Sequence, residues 1–255
     1  MLQKLWLLLS LPLVVAFAGS GFARNDRDRL LELPLLPPVE EIHSLPLTSM
    51  LSNLGSRVEG GYVLFGVEIL LKGGKEPTIT LPRKPAGDLG TGLHEVLRQL
   101  PDYEMHVISA HLIEILPRGA RIDPKDLLNL RVANFSVTYI PAASILAHPA
   151  RFIPELRARL TPKAALGTRP VEVYSGPFAL RGAEVTLHLQ NVTVREIFDR
   201  VSEATEHLAS EEPALGWVYK VKFDDTPGVP QHTFQSLPSV PWNWREYRGS
   251  GNSRD

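Results

Sequence analysis

The chain has eight histidines and no cysteine, so any metal chemistry falls to imidazole and carboxylate. Three of the histidines, His94, His106 and His111, lie close in the sequence. A zinc site takes three or four convergent ligands, with a water when it is catalytic. If Ser109-Ala110 is the turn of a hairpin, His106 and His111 face each other across it, and His94 sits on the preceding helix. That area is the best location for a hydrolase or metal-dependent enzyme. It lacks HExxH or any similar ligand spacing, and a structural or surface role for these histidines is the plainer reading.

Other chemistry is thinner still. Ser109 and Ser175-Gly176 have no nucleophile-elbow context such as GxSxG. Asp224-Asp225 is a polar strand end, because an acid–base pair has to be separated across a cleft. Gly87–Gly92, GDLGTG, has neither GK[ST] nor a complete GxGxxG and reads as a loop before a helix. The triplets Asn134-Phe135-Ser136 and Asn191-Val192-Thr193 match a glycosylation acceptor by chance. No catalytic, metal or cofactor set emerges, and the chain reads as non-catalytic. The interaction candidates are Trp242, Trp244, Arg245 and Tyr247, aromatic and arginine types that anchor interfaces. They dock either on their own domain or on a partner. Arg151, Arg157, Arg159 and Lys163 form a solvated basic helix face.

The elements that position these residues follow from periodicity. Val185, Leu187 and Leu189 alternate with Thr186, His188 and Gln190, as in a half-buried strand. Val194, Ile197, Phe198 and Val201 then recur at i, i+3, i+4 and i+7, one apolar face of a helix. Thr193 and Glu196 form a capping box at the joint. Leu93, Val96, Leu97 and Leu100 mark a second helix, capped by Asp88 or Thr91. Leu47, Met50, Leu51 and Leu54 mark a third, closed by Gly55. Strands are expected at residues 61–71, 76–81, 103–108, 111–116, 132–139, 171–174, 185–189 and 216–223. Asp123-Pro124 opens a short helical turn, and Phe152, Leu156 and Leu160 mark a short helix.

Composition sets the outer limits. Of 255 residues, 44% are hydrophobic and 22% charged, which is ordinary for one large or two small domains. A formal net charge of −1 offers no basic field for nucleic acid. Residues 1–23 read as an export signal. Lys4 is its positive start, Leu5–Ala18 its apolar run, and Gly21-Phe22-Ala23 its small-residue cleavage site. With no cysteine, a lipid anchor at that site is excluded. The mature chain is expected to be periplasmic or extracellular, with no stable membrane span and a protein partner.

The expected fold is α+β, with two small sheet-plus-helix units, ββαββ and ββαβ, joined by a proline-rich irregular region. Residues 24–58 form a flexible lead-in with a short helix. Residues 59–165 form the first unit with its irregular extension, and 166–225 the second. Residues 226–255 form a mostly disordered, aromatic-containing tail.

Val185-Thr186-Leu187-His188-Leu189 followed by Val192-Thr193-Val194-Arg195-Glu196-Ile197-Phe198 resembles the short N-terminal βαβ repeats of secretins and TonB-dependent receptors. Thr78-Ile79-Thr80-Leu81 and Gly92-Leu93-His94-Glu95-Val96-Leu97 resemble them too, across a longer loop. The likeness spans about half of the mature chain, and neither a pore domain nor an outer-membrane barrel follows. It implies a periplasmic protein–protein interaction module, part of an envelope transport or secretion assembly. A stalk or scaffold is the other non-catalytic reading.

Overall fold

A computed structural model describes residues 29–36, 42–59, 62–81, 87–160, 183–206, 213–222 and 230–239. The fold is mixed α+β, with one sheet of five strands and two of two strands. In chain order the elements begin with β1 (Ile42–Pro46), α1 (Leu47–Gly55), β2 (Leu64–Leu71), β3 (Thr78–Leu81) and α2 (Leu89–Arg98). The hairpin β4 (Tyr103–Val107) and β5 (Leu112–Pro117) follows, then 3-10 turns at Ala120–Ile122 and Leu127–Asn129. Next come β6 (Arg131–Pro141), α3 (Ala142–Ala147) and α4 (Pro154–Leu160). The last described elements are β7 (Glu184–Thr193), α5 (Val194–Glu206), β8 (Ala214–Lys222) and β9 (Gln231–Ser239).

The five-stranded sheet has the order β4-β5-β2-β8-β9. Its centre is parallel: β2 pairs with β5 on one side and with β8 on the other. The outer strands β4 and β9 run antiparallel to their neighbours. The strand-and-helix patterning therefore holds, but the partition into two separate sheets does not. β8, assigned from sequence to a second unit at 166–225, lies against β2 of the first. The physical reason is visible in both strands. LFGVEILL and ALGWVYKVK are buried on both faces over most of their length. A strand buried on both faces needs a central position and two covering layers.

Alternation along these strands divides the interior. Phe65, Val67, Ile69, Ile113, Ile115 and Val218 join one core, covered by α1, α2 and β3. Leu116, Leu215, Trp217, Tyr219 and Val221 join a second core, covered by α3, α4, α5 and the β6–β7 ribbon. The earlier half of the chain thus backs onto one face of the sheet and the later half onto the other. The helical faces around Leu93 and Val96, and around Ile197 and Phe198, supply the two coverings as the periodicity predicts. Each fully buried Leu, Ile or Phe contributes about 1.5–3 kcal/mol.

Local details explain the departures. Gly55 ends α1 without a left-handed cap; Ser56 follows it in right-handed geometry. A Cβ at Gly55 would lie 3.0 Å from Phe65 Cε2 and 3.2 Å from Val63 O, so any larger residue is a tight fit. β1, IHSLP, has no alternation and was not expected; it pairs with β3 at Ile42↔Leu81 and Pro46↔Thr78. β3 consequently sits outside the main sheet. The chain beyond 226 is not wholly a tail: β9 pairs with β8 from Gln231↔Lys222 to Ser239↔Ala214. QHTFQSLPS carries no strong period, so its strand form comes from its partner. The expected strand at 171–174 lies outside the described residues.

Candidate functional site

The main concentration of ionisable groups among the described residues is a buried cluster behind the sheet, on the face covered by α5. Glu68 in β2 and Glu114 in β5 occupy even positions in strands whose odd positions fill the first core. Both therefore point into the second, with Glu68 only 4% and Glu114 0% exposed. Each is the single acid in an otherwise apolar strand. Opposite them, α5 is started by the expected capping box. Glu196 N–H donates to Thr193 Oγ1 at 3.1 Å, and Thr193 N–H donates to Glu196 Oε2 at 2.6 Å. This cap fixes the first turn, which carries Arg195. Arg195, Asp199 and Ser202 recur at i, i+4 and i+7, and all three are buried.

The arginine reaches three elements. Its Nη2 donates to Glu68 Oε2 at 2.9 Å and to Asp126 Oδ2 at 2.7 Å. Its Nε donates to Asn129 Oδ1 at 3.4 Å. Nη1 lies 3.8 Å from Glu114 Oε1, too far for a hydrogen bond. Asp126 is held by capping the second 3-10 turn, with Leu128 N–H donating to its Oδ1 at 2.9 Å. Asn129 Nδ2 ties the same turn to the carbonyls of Ala120 and Asp123. The helical turn expected from Asp123-Pro124 starts later, as the 3-10 turn Leu127–Asn129 capped by Asp126, and that cap delivers the carboxylate. Arg121 Nε comes within 2.9 Å of Glu114 Oε2, but off the line of a hydrogen bond, since both Glu114 oxygens lack a hydrogen-bond partner. Trp217 Nε1 donates to Asp199 Oδ1 at 2.9 Å, and the Arg195 guanidinium stands 5.8 Å over the same indole.

Four carboxyl groups therefore face the buried guanidinium of Arg195 and the exposed one of Arg121. Burial, reinforced by Asp126, pushes Glu68 up to about 7 despite the pull of Arg195. Burial also raises Glu114 against Arg195 and Arg121. Asp199 is raised well above the carboxylate range by burial and by Glu114. Burial pulls Arg195 down, but Glu68 and Glu114 outweigh it and hold the guanidinium charged. At the rim, the Tyr219 hydroxyl and His232 Nδ1 are 2.8 Å apart. Burial raises the first and lowers the second. The cluster can hold charge and protons, and it clamps α5 to β2, β5 and the 3-10 turns.

The three histidines singled out by sequence do not converge. His94 Nδ1 is 2.7 Å from Gly90 O in its own helix. His106 Nε2 is 3.2 Å from Glu104, its neighbour on the same strand face. His111 Nε2 is 3.0 Å from Glu206 Oε1, and its ring stacks on Tyr62 at 5.4 Å. The hairpin register differs from the expected one: His106 pairs with Glu114, not His111. Ile108 N–H donates to Leu112 O, so the turn centres on Ala110. Among the described residues no three His, Cys, Asp or Glu side chains are placed to hold a metal ion.

The GDLGTG loop is likewise occupied by the protein itself. Asp88 Oδ1 accepts from Thr91 N–H at 2.6 Å, and Leu89 N–H donates to Leu33 O. Those amides are not free for a phosphate. Ser109 is buried, and its hydroxyl oxygen lies 3.4 Å from His111 N. Ser175-Gly176, Asp224-Asp225 and Trp242, Trp244, Arg245 and Tyr247 lie outside the described residues. Sequence reasoning missed the ionic cluster altogether. Its signal was a lone Glu at an inward position in each of two apolar strands. No protein-family model, curated protein or solved structure matches this chain.

Proposed function

We propose that the chain is an exported, non-catalytic module that binds another protein by strand addition. The observation that carries this reading is the β9 edge. β9 is paired on one side only among the described strands. Its nine residues, QHTFQSLPS, contain no Asp, Glu, Lys or Arg. Edge strands are ordinarily guarded by charge, bulges or brevity. β9 is long and regularly paired, and Pro238 near its end is its one guard. Eight of its nine residues are at least partly exposed, including Phe234 and Leu237, which pack on opposite cores. An added strand would cover those apolar atoms and extend the sheet by main-chain pairing. The opposite edge, β4, carries the Glu104–His106 ion pair instead.

Export rests on Lys4, the apolar run Leu5–Ala18 and the Gly21-Phe22-Ala23 site, all outside the described residues. Among the described residues no helix is long and apolar enough to cross a membrane. The likeness of Val185–Phe198 to the secretin and TonB-receptor repeats supports a place in an envelope assembly. β7 and β8 flank α5 in the expected order, although they belong to different sheets. The aromatic residues Trp242, Trp244 and Tyr247, with Arg245, follow β9 in the sequence and would extend the same contact.

The test places a photo-crosslinking residue at position 235 of the full chain in intact cells, with one at position 200 on α5 as control. Protein adducts are expected at 235 and to disappear when Thr233 and Ser236 are replaced by Lys. Truncation after Val240 separates the strand from the aromatic segment. Adducts that are equal at both positions, or indifferent to the lysines, would refute strand addition.

A further inference from the structure

The geometry of the buried cluster carries an inference independent of the binding partner. We infer that it is a proton-operated latch: protons held among Glu68, Glu114 and Asp199 keep α5 seated on the sheet, and their loss loosens it.

Three observations lead there. First, Glu68 and Asp126 both accept from one nitrogen, Arg195 Nη2, so two carboxyl groups converge on a single donor. Two carboxylates so placed hold together best when one of them carries a proton. Second, both oxygens of the fully buried Glu114 lack a hydrogen-bond donor, and Arg195 Nη1 lacks an acceptor. A buried ionised carboxylate without donors is strongly disfavoured, and taking a proton is the usual relief. Third, the count of opposing charge is short. Arg195 is the buried guanidinium among Glu68, Glu114, Asp126 and Asp199, while Arg121 reaches Glu114 from an exposed position, so full ionisation would leave a net negative charge in the interior.

The surrounding elements do not restore the balance. From β4, His106 faces Glu114 but is engaged by Glu104. From β8 and β9, Tyr219 and His232 face each other, and burial favours the neutral form of both. Tyr103 contributes a neutral hydroxyl, which accepts from Leu70 N–H. The raised positions of Glu68, Glu114 and Asp199 agree with the geometry. A carboxyl that holds its proton more tightly in the folded chain adds stability that is fully present at low pH. For Glu68 that stability is intact below about 4.5 and is lost as pH climbs through about 7.

The latch joins the halves of the molecule at one point, since Glu68 and Glu114 belong to the earlier half and Arg195 and Asp199 to the later. The test is urea unfolding of the full chain between pH 5 and 8, with hydrogen exchange read separately over α5 and α2. The folded-to-unfolded ratio is expected to fall by up to tenfold per pH unit for each proton released. Exchange protection over α5 should fall with it, ahead of that over α2. Asp199→Asn keeps the oxygen that accepts from Trp217 and removes a titrating group; Glu68→Gln does the same for the Arg195 contact. Each should flatten the pH dependence, while Glu203→Gln, whose carboxylate pairs with Arg200 instead of the cluster, should not. A midpoint constant from pH 5 to 8, a slope unchanged in both neutral variants, or equal loss of protection over α5 and α2 would overturn the latch.

Discussion

Gly66→Ala is a sharp test of how the two halves meet. Gly66 stands beside Trp217 in the parallel pairing of β2 with β8. A Cβ there would lie 2.5, 2.6 and 2.7 Å from Cε2, Cζ2 and Nε1 of the indole. Carbon atoms in contact prefer about 3.5–4.0 Å, so the ring must shift by roughly 1 Å. It has no room: Trp217 is fully buried and meets Phe198 edge-on at 5.8 Å. Overpacking of this kind costs about 1–3 kcal/mol. The shift also pulls Nε1 off Asp199, and a buried donor without a partner adds about 1–3 kcal/mol. A total near 4 kcal/mol is a large share of the ~5–15 kcal/mol of an ordinary domain. Urea midpoints by far-ultraviolet circular dichroism at pH 6 measure it. Trp217→Phe removes both the clash and the hydrogen bond, so the pair should couple by at least about 1 kcal/mol in a double-mutant cycle. A single-variant loss under about 1 kcal/mol, or simple additivity, would show that β2 and β8 do not meet in this register.

Three further outcomes follow from the same contacts. Arg195→Met should cost about 3–5 kcal/mol, and more at pH 8 than at pH 5, where Glu68 and its neighbours can protonate; paired urea titrations would show the difference. Thr193→Ala should lose about 1 kcal/mol by breaking the capping box, with exchange protection lost first in the opening turn of α5. Burial pulls Glu76 up, but Lys220 and Thr48 outweigh it and hold the carboxyl below its ordinary value. Its stability is therefore present above the usual carboxylate range and lost as pH falls through the lowered value, so Glu76→Gln should cost about 1 kcal/mol at pH 7 and almost nothing at pH 2.

Local order was legible and long-range pairing was not. The periods around Leu93 and Ile197, the Thr193–Glu196 cap and the Asp88 cap are encoded within a few residues of each other, and each is found as expected. The placement of β8 beside β2 depends on residues far apart in the chain, and the local pattern of neither strand names the other. β1 and β9 lack alternation because each is shaped by its partner. The hairpin slipped because three residues, not two, make its turn, and that slip put Glu114 where His111 was expected. The ionic cluster was hidden because its members come from four separate segments, each with an ordinary pattern of its own.

The parallel ladder between β2 and β8 joins residues about 150 positions apart, and such distant contacts form slowly. During synthesis α1 and α2 can cover one face early, but the covering of the other is completed only when α5 arrives in the last quarter of the chain. An N-terminal fragment would therefore be sticky and incomplete for most of its elongation. If the chain is exported as proposed above, that delay is useful: the architecture itself postpones closure until nearly all of the chain has been delivered.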